Sequence, residues 1–243
     1  MAQRVVIPDH IRERVIQRQG RWNVHDDVPP AETAFVVVDM QNYFMAPGQQ
    51  VEVPPAREIV PNVNRLAGAL REAGGLVVWV RTVSNADSIA SWSHFHRVLN
   101  TPERSARRAA ALEPAAFGAQ LWPGLDIRSG DLQIEKTRYS AFIQGSSNLE
   151  IKLRQRGITA VWIGGTTTNT CCECTARDAM LLDFRTTMVS DCNADHTDEE
   201  HAATLIAFCS KFGDVASSDD LIARLTQPCL NSSARSAAPQ QVR

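Results

Sequence analysis

No stretch of this sequence approaches the ~20 consecutive apolar residues that a bilayer-spanning helix requires. Nor does it contain a block of five or more lysines and arginines that would mark a phosphate-binding face. Its 25 basic and 27 acidic side chains leave a formal charge of −2. Neither a membrane nor a nucleic acid is therefore an expected partner. The N-terminal stretch MAQRVVIPDHIRERVIQRQG carries charges where a secretion signal needs unbroken apolar residues, so a cytoplasmic location is expected. Cysteine is also sparse: six in 243 residues, at positions 171, 172, 174, 192, 209 and 229, which read as free thiols rather than as a disulfide framework.

With 44% apolar and 21% charged residues, the chain is long enough to bury roughly 70% of its unfolded surface in one core. Residues 1–31 are charged, hold Pro8, Pro29 and Pro30, and read as an N-terminal arm. From residue 32 to 226 the pattern is that of one α/β domain. FVVVD (35–39) and LVVWVRT (76–82) are β-branched runs typical of strands buried on both faces. Between them Ile59, Val63, Leu66 and Leu70 form one helical stripe that Gly74 and Gly75 terminate. After a stretch from 83 to 131 that is too long for an ordinary connection and reads as functional or partly helical, a candidate lid, the alternation resumes. Strands are expected at 132–136, 160–165, 186–191 and 214–215, with helices at 147–156, 171–183, 198–211 and 218–225. This order predicts a doubly wound, mostly parallel six-stranded sheet with helices on both faces. The segment 227–243 reads as a disordered tail.

Three helix starts carry a Ser/Thr-x-x-Glu capping pattern: Ser147 with Glu150, Thr170 with Glu173, and Thr197 with Glu200. With Thr170 as cap, Cys171 is predicted as the first helical residue, its sulfur held as a thiolate by the helix dipole. In an open parallel sheet the ligand crevice lies beyond the carboxyl ends of the strands. Asp39 ends the first strand, Lys136 ends the third, and Cys171 follows the fourth. Taken singly, the Asp is a turn residue, the Lys a solvated stem and the Cys a core residue. Taken together they supply a nucleophile, a proton acceptor and a cation at one sheet edge. Cys171-Cys172-x-Cys174 lacks a second ligand pair at zinc spacing. Asp191, Asp195, His196, Glu199 and Glu200 read as a capped helix start.

The segments FVVVDMQNYF (35–44), IEKTRYSAF (134–142) and GGTTTNTCCECTARDA (164–179) resemble the isochorismatase-like cysteine hydrolases over about residues 33–225. That resemblance implies a catalytic set of Asp39 as base, Lys136 as cation and Cys171 as nucleophile. It further implies a cis peptide between Thr166 and Thr167 and an oxyanion hole made by the N–H groups of Thr167 and Cys171. The implied reaction is cleavage of a small amide, carbamoyl or ureido compound through a thioester, with release of ammonia or amine. RYSAF and the Phe95-His96 loop look most like the ureidoacrylate amidohydrolase and N-carbamoylsarcosine amidase branch. Gln41, Phe44, His96, Arg138 and Tyr139 are the expected substrate contacts. The metal triplet of nicotinamidases is missing after Asp39, and His94-x-His96 has no carboxylate nearby, so neither metal nor cofactor is expected. Such enzymes assemble as dimers to tetramers, and a homo-oligomer is the implied state. Two alternatives are an enol-ether hydrolase of the isochorismatase type and a non-catalytic protein-binding domain.

Overall fold

A computed structural model describes residue 3 and residues 5–226; the expected tail at 227–243 lies outside the described residues. Six strands, β1 (Thr33–Val38), β2 (Leu76–Thr82), β3 (Leu132–Lys136), β4 (Ala160–Thr166), β5 (Arg185–Ala194) and β6 (Asp214–Ala216), form one sheet. Their order is β3-β2-β1-β4-β5-β6 and every pairing is parallel. The chain runs outward from β1 to β3, then returns to place β4 on the other side of β1. The direction of winding thus reverses between β1 and β4, which is where such sheets open a crevice at their carboxyl ends.

Alternation along β1 explains the two hydrophobic layers. Ala34, Val36 and Val38 project to one face, Phe35 and Val37 to the other, and all five are buried. The first face is covered by α1 (Asp9–Gln19), α4 (Leu149–Arg154), α5 (Glu173–Leu181) and α6 (Asp198–Lys211), through residues such as Val15, Leu153, Ala176 and Phe208. The second is covered by α2 (Val60–Glu72) and α7 (Ser218–Leu225), through Val63, Leu66, Leu70 and Leu221. No helix among the described residues is long and apolar enough to cross a membrane.

Two sequence expectations need correction. The arm contains α1, which buries Ile11 and Val15 against the core of its own domain. It is fastened further by Arg18 Nη1 donating to the Ser210 carbonyl and by the Val24 and His25 N–H groups donating to Asp214 Oδ2. Val5, Ile7 and Trp22 of the same segment pack against that core as well, so scattered apolar residues in a charged stretch are enough to dock it. Second, Ser147 does not cap α4 as the box predicts; its Oγ donates to the Ala141 carbonyl and accepts from Leu149 N–H, and the helix begins at Leu149. Thr197 does cap α6, accepting from Glu200 N–H at 3.1 Å. The 83–131 stretch is partly helical, as its length suggests: it holds Ala86–Ser91, Ser93–Arg97, and α3 (Pro102–Ala111), whose start is capped by Thr101.

Beyond Ile163 the β4–β5 register shifts, so that Gly165 pairs with Asn193. Asn193 Nδ2 bridges the irregularity by donating to the carbonyls of Ile163 and Val189. Gly165 sits at φ 122, and a Cβ there would lie 2.0 Å from the Val38 carbonyl oxygen. Only glycine permits β1 and β4 to approach this closely at the crevice.

Candidate active site

Strand order places the functional side chains. Asp39 follows β1 in a left-handed conformation, φ 55, which a short polar side chain tolerates. Its N–H donates to the Val80 carbonyl, so the residue is tied to β2 as it turns. Lys136 ends β3, two strands from β1, and Thr82 at the end of β2 pairs in register with it. Thr82 must therefore stand between Asp39 and Lys136, and it does. Its Oγ1 lies 2.9 Å from both Asp39 carboxylate oxygens, and Lys136 Nζ donates to Thr82 Oγ1 at 2.6 Å and to Asp39 Oδ2 at 2.7 Å. A third Nζ bond goes to the Arg138 carbonyl at 3.0 Å, so all three ammonium protons have acceptors. Both side chains of the ion pair are fully buried.

Cys171 sits in a single wide turn of π-helix, Thr168–Cys172, that precedes α5. This corrects the expected cap at Thr170: the helical path starts earlier, Thr170 Oγ1 donates to Asn169 Oδ1, and Cys172 N–H reaches back to the Thr167 carbonyl. The turn is held from outside by Asp195, whose Oδ2 accepts from Asn169 N–H at 2.7 Å, and by a 2.9 Å bond between Thr168 Oγ1 and His201 Nδ1. The Thr166–Thr167 peptide bond is cis.

Burial pushes the Cys171 thiol above its ordinary pKa; Lys136 opposes that, while Asp39 adds to it through its charge and by accepting a hydrogen bond from the thiol. That direction runs against the resting thiolate expected from the helix start. Sequence position at a helix start suggested ionisation, but depth in the fold outweighs the dipole. Lys136 goes the other way. Burial alone would lower its pKa, but the Asp39 carboxylate and the Cys171 sulfur hold it above the usual lysine value.

Cys171 opens onto a cavity of about 220 Å³, at the small end for ligand sites. Phe44, Phe95, Tyr139, Thr167 and Asn169 form parts of its wall. Of the expected substrate contacts, Phe44 and Tyr139 are in this cavity and three others are not. Gln41 is wholly buried and its amide is fully engaged, donating to the Thr82 and Ala119 carbonyls and accepting from Thr82 N–H. It clasps β1 to β2 rather than facing a ligand. His96 is buried behind Phe95, 2.7 Å from Ser105 Oγ, and burial together with Arg108 and Arg138 lowers its pKa. Arg138 turns away to Ser91 Oγ and stacks over Trp92 at 5.2 Å. The two arginines that do line the cavity are Arg104 and Arg108 of α3, which sequence reasoning missed. The spacing of four on one helix face was a visible signal; its placement over the crevice was not.

Thr82 was also missed. Replacement by valine removes two bonds from a buried ion pair, and is expected to cost about 1–3 kcal/mol. Urea unfolding of Thr82→Val measures this, and a loss within experimental error of zero would show the hydroxyl to be incidental.

The isochorismatase domain profile matches residues 33–220. A protein of Arabidopsis thaliana named probable inactive nicotinamidase is 36% identical over 72% of this chain and 86% of its own length. A ureidoacrylate amidohydrolase of Rhizobium rhizogenes is 30% identical over 82% of this chain and 85% of its own. The crystal structure of N-carbamoylsarcosine amidase from Thermoplasma acidophilum superposes with a TM-score of 0.61 at 25% identity, covering 77% of this chain and 97% of that one. A six-stranded sheet wound in both directions from β1, matched by sequence across nearly all of its strands and helices, makes this chain a hydrolase of the isochorismatase family.

Proposed function

We propose that the protein is a cysteine-dependent amidohydrolase that cleaves a C–N bond of a small amide, carbamoyl or ureido compound. The observation that carries this reading is the buried Asp39–Lys136 pair, whose groups act on the Cys171 sulfur, while Cys171 itself opens onto the cavity. Similarity to the ureidoacrylate amidohydrolase and to N-carbamoylsarcosine amidase supports it.

With burial holding the thiol toward its protonated form, attack and proton transfer are coupled in this reading. As Sγ bonds to the substrate carbonyl carbon, its proton passes to Asp39, and the carbonyl oxygen takes the negative charge toward the N–H groups of Thr167 and Cys171. Lys136 stays charged throughout. Movement of one proton from sulfur to carboxylate leaves the net charge of the buried set unchanged, so no additional ion is created in a region of low dielectric. Asp39 then gives the proton to the departing nitrogen, the C–N bond breaks, and ammonia or amine leaves. Water attacks the thioester with Asp39 as base, restoring the thiol and releasing an acid, or a carbamate that decays to carbon dioxide and amine. We place the enzyme in the cytoplasm as a homo-oligomer.

A panel of amides, ureides and carbamoyl amino acids assayed for ammonia tests this. Release from at least one class is expected. Silence across the panel would favour the second reading, a family member without catalysis, which the name of the Arabidopsis relative makes concrete.

A further inference from the structure

Of the catalytic set only Cys171 lines the cavity, and it does not account for the charge there. Among the residues that line it there is no Asp or Glu, yet Arg104 and Arg108 both do so. They stand four apart on α3, one turn above one another. Arg108 is half-buried, with its guanidinium 5.7 Å from the Tyr43 ring and 5.5 Å from that of Phe95. Arg104 is exposed, its Nε donating to Asn100 Oδ1 at 3.2 Å. The ion pairs among the described residues engage Arg21, Arg57, Arg65, Arg71, Arg81, Arg128, Lys136, Arg154 and Arg177, and neither of these two. A half-buried guanidinium with aromatic faces around it and no carboxylate in the wall is an incomplete pair. Its planar fork suits a carboxylate, which would be held in two parallel hydrogen bonds.

Resting on the amidase reading above for the identity of the scissile end, we propose that Arg108 receives a carboxylate at the far end of the substrate. The cavity then selects amides or ureides that carry an acid group. Arg104, further out, draws the anion toward the mouth. Arg108 is in this account a specificity residue: it fixes one end of the substrate so that the carbonyl meets Sγ, and takes no part in proton transfer.

Binding and turnover separate this proposal from the one it rests on. Calorimetry on the Cys171→Ala protein, which cannot react, compares N-carbamoyl-β-alanine with its neutral carboxamide. The acid is expected to bind at least tenfold more tightly. Arg108→Gln in the same background should erase that preference, and Arg108→Lys, which keeps the charge but loses the fork, should retain part of it. Equal affinity for acid and amide, absence of binding by both included, overturns the proposal. So does an undiminished preference in a folded Arg108→Gln or Arg108→Lys protein. Ammonia release by the protein with Cys171 intact reports on the amidase reading alone: acid-selective binding without ammonia would leave Arg108 assigned and remove the chemistry.

Discussion

Lys136→Met is expected to destabilise the fold by about 3–5 kcal/mol and to abolish turnover, while Lys136→Met combined with Asp39→Leu should regain most of the lost stability and none of the activity. The reason is an asymmetry of buried ion pairs. Removing one partner strands the other charge in a region it cannot leave, whereas removing both leaves a site that apolar side chains can fill. Here the conditions for that asymmetry are met: both side chains are fully buried, and Asp39 has lost its water to Thr82 and Lys136. Urea unfolding of the single and double variants completes the cycle. If the double variant is as unstable as the single one, the ammonium serves as more than the counter-charge of Asp39.

The second large effect concerns Cys171. Replacement by alanine is expected to reduce ammonia release by about 10,000-fold or more, since a covalent mechanism has no other nucleophile to fall back on. Stability should change by only about 1 kcal/mol, because a small side chain is trimmed in place. The same residue gives a pH signature. With its pKa raised, the thiolate fraction at neutral pH falls below that of an ordinary cysteine, and the fraction grows as pH rises. Alkylation of the peptide containing Cys171, followed by mass spectrometry, should therefore be slower than for an exposed cysteine at pH 7 and still accelerating at about pH 10. A rate that is already maximal at neutral pH would restore the resting thiolate and replace coupled proton transfer with attack by a preformed anion.

What sequence could and could not reveal follows from where information resides. The strands were legible because FVVV and LVVWV are continuous apolar runs rich in β-branched residues, and AVWI of β4 follows the same rhythm. β5 was anticipated to stop at 191 and runs to Ala194, because the irregularity opposite Gly165 adds residues that no periodicity announces. Asp39, Lys136 and Cys171 could be brought together from topology alone, since each ends or follows a strand. Thr82 required the order of the strands as well: only when β2 is known to lie between β1 and β3 does its last residue become the bridge. Protonation of Cys171 and the roles of Gln41, His96 and Arg138 depend on depth and direction, which side-chain packing decides. Arg104 and Arg108 look in sequence like the solvated face of a surface helix, and what distinguishes them is the cavity beneath.

One consequence reaches back to the first residues of the chain. Gln3 Oε1 accepts from the Asp195 N–H at 2.8 Å, and Asp195 Oδ2 in turn accepts from Asn169 N–H, two positions before the nucleophile. The amino terminus is thereby a remote buttress of the reacting turn. Removal of the segment that carries Gln3 is expected to loosen the hold of Asp195 on the reacting turn.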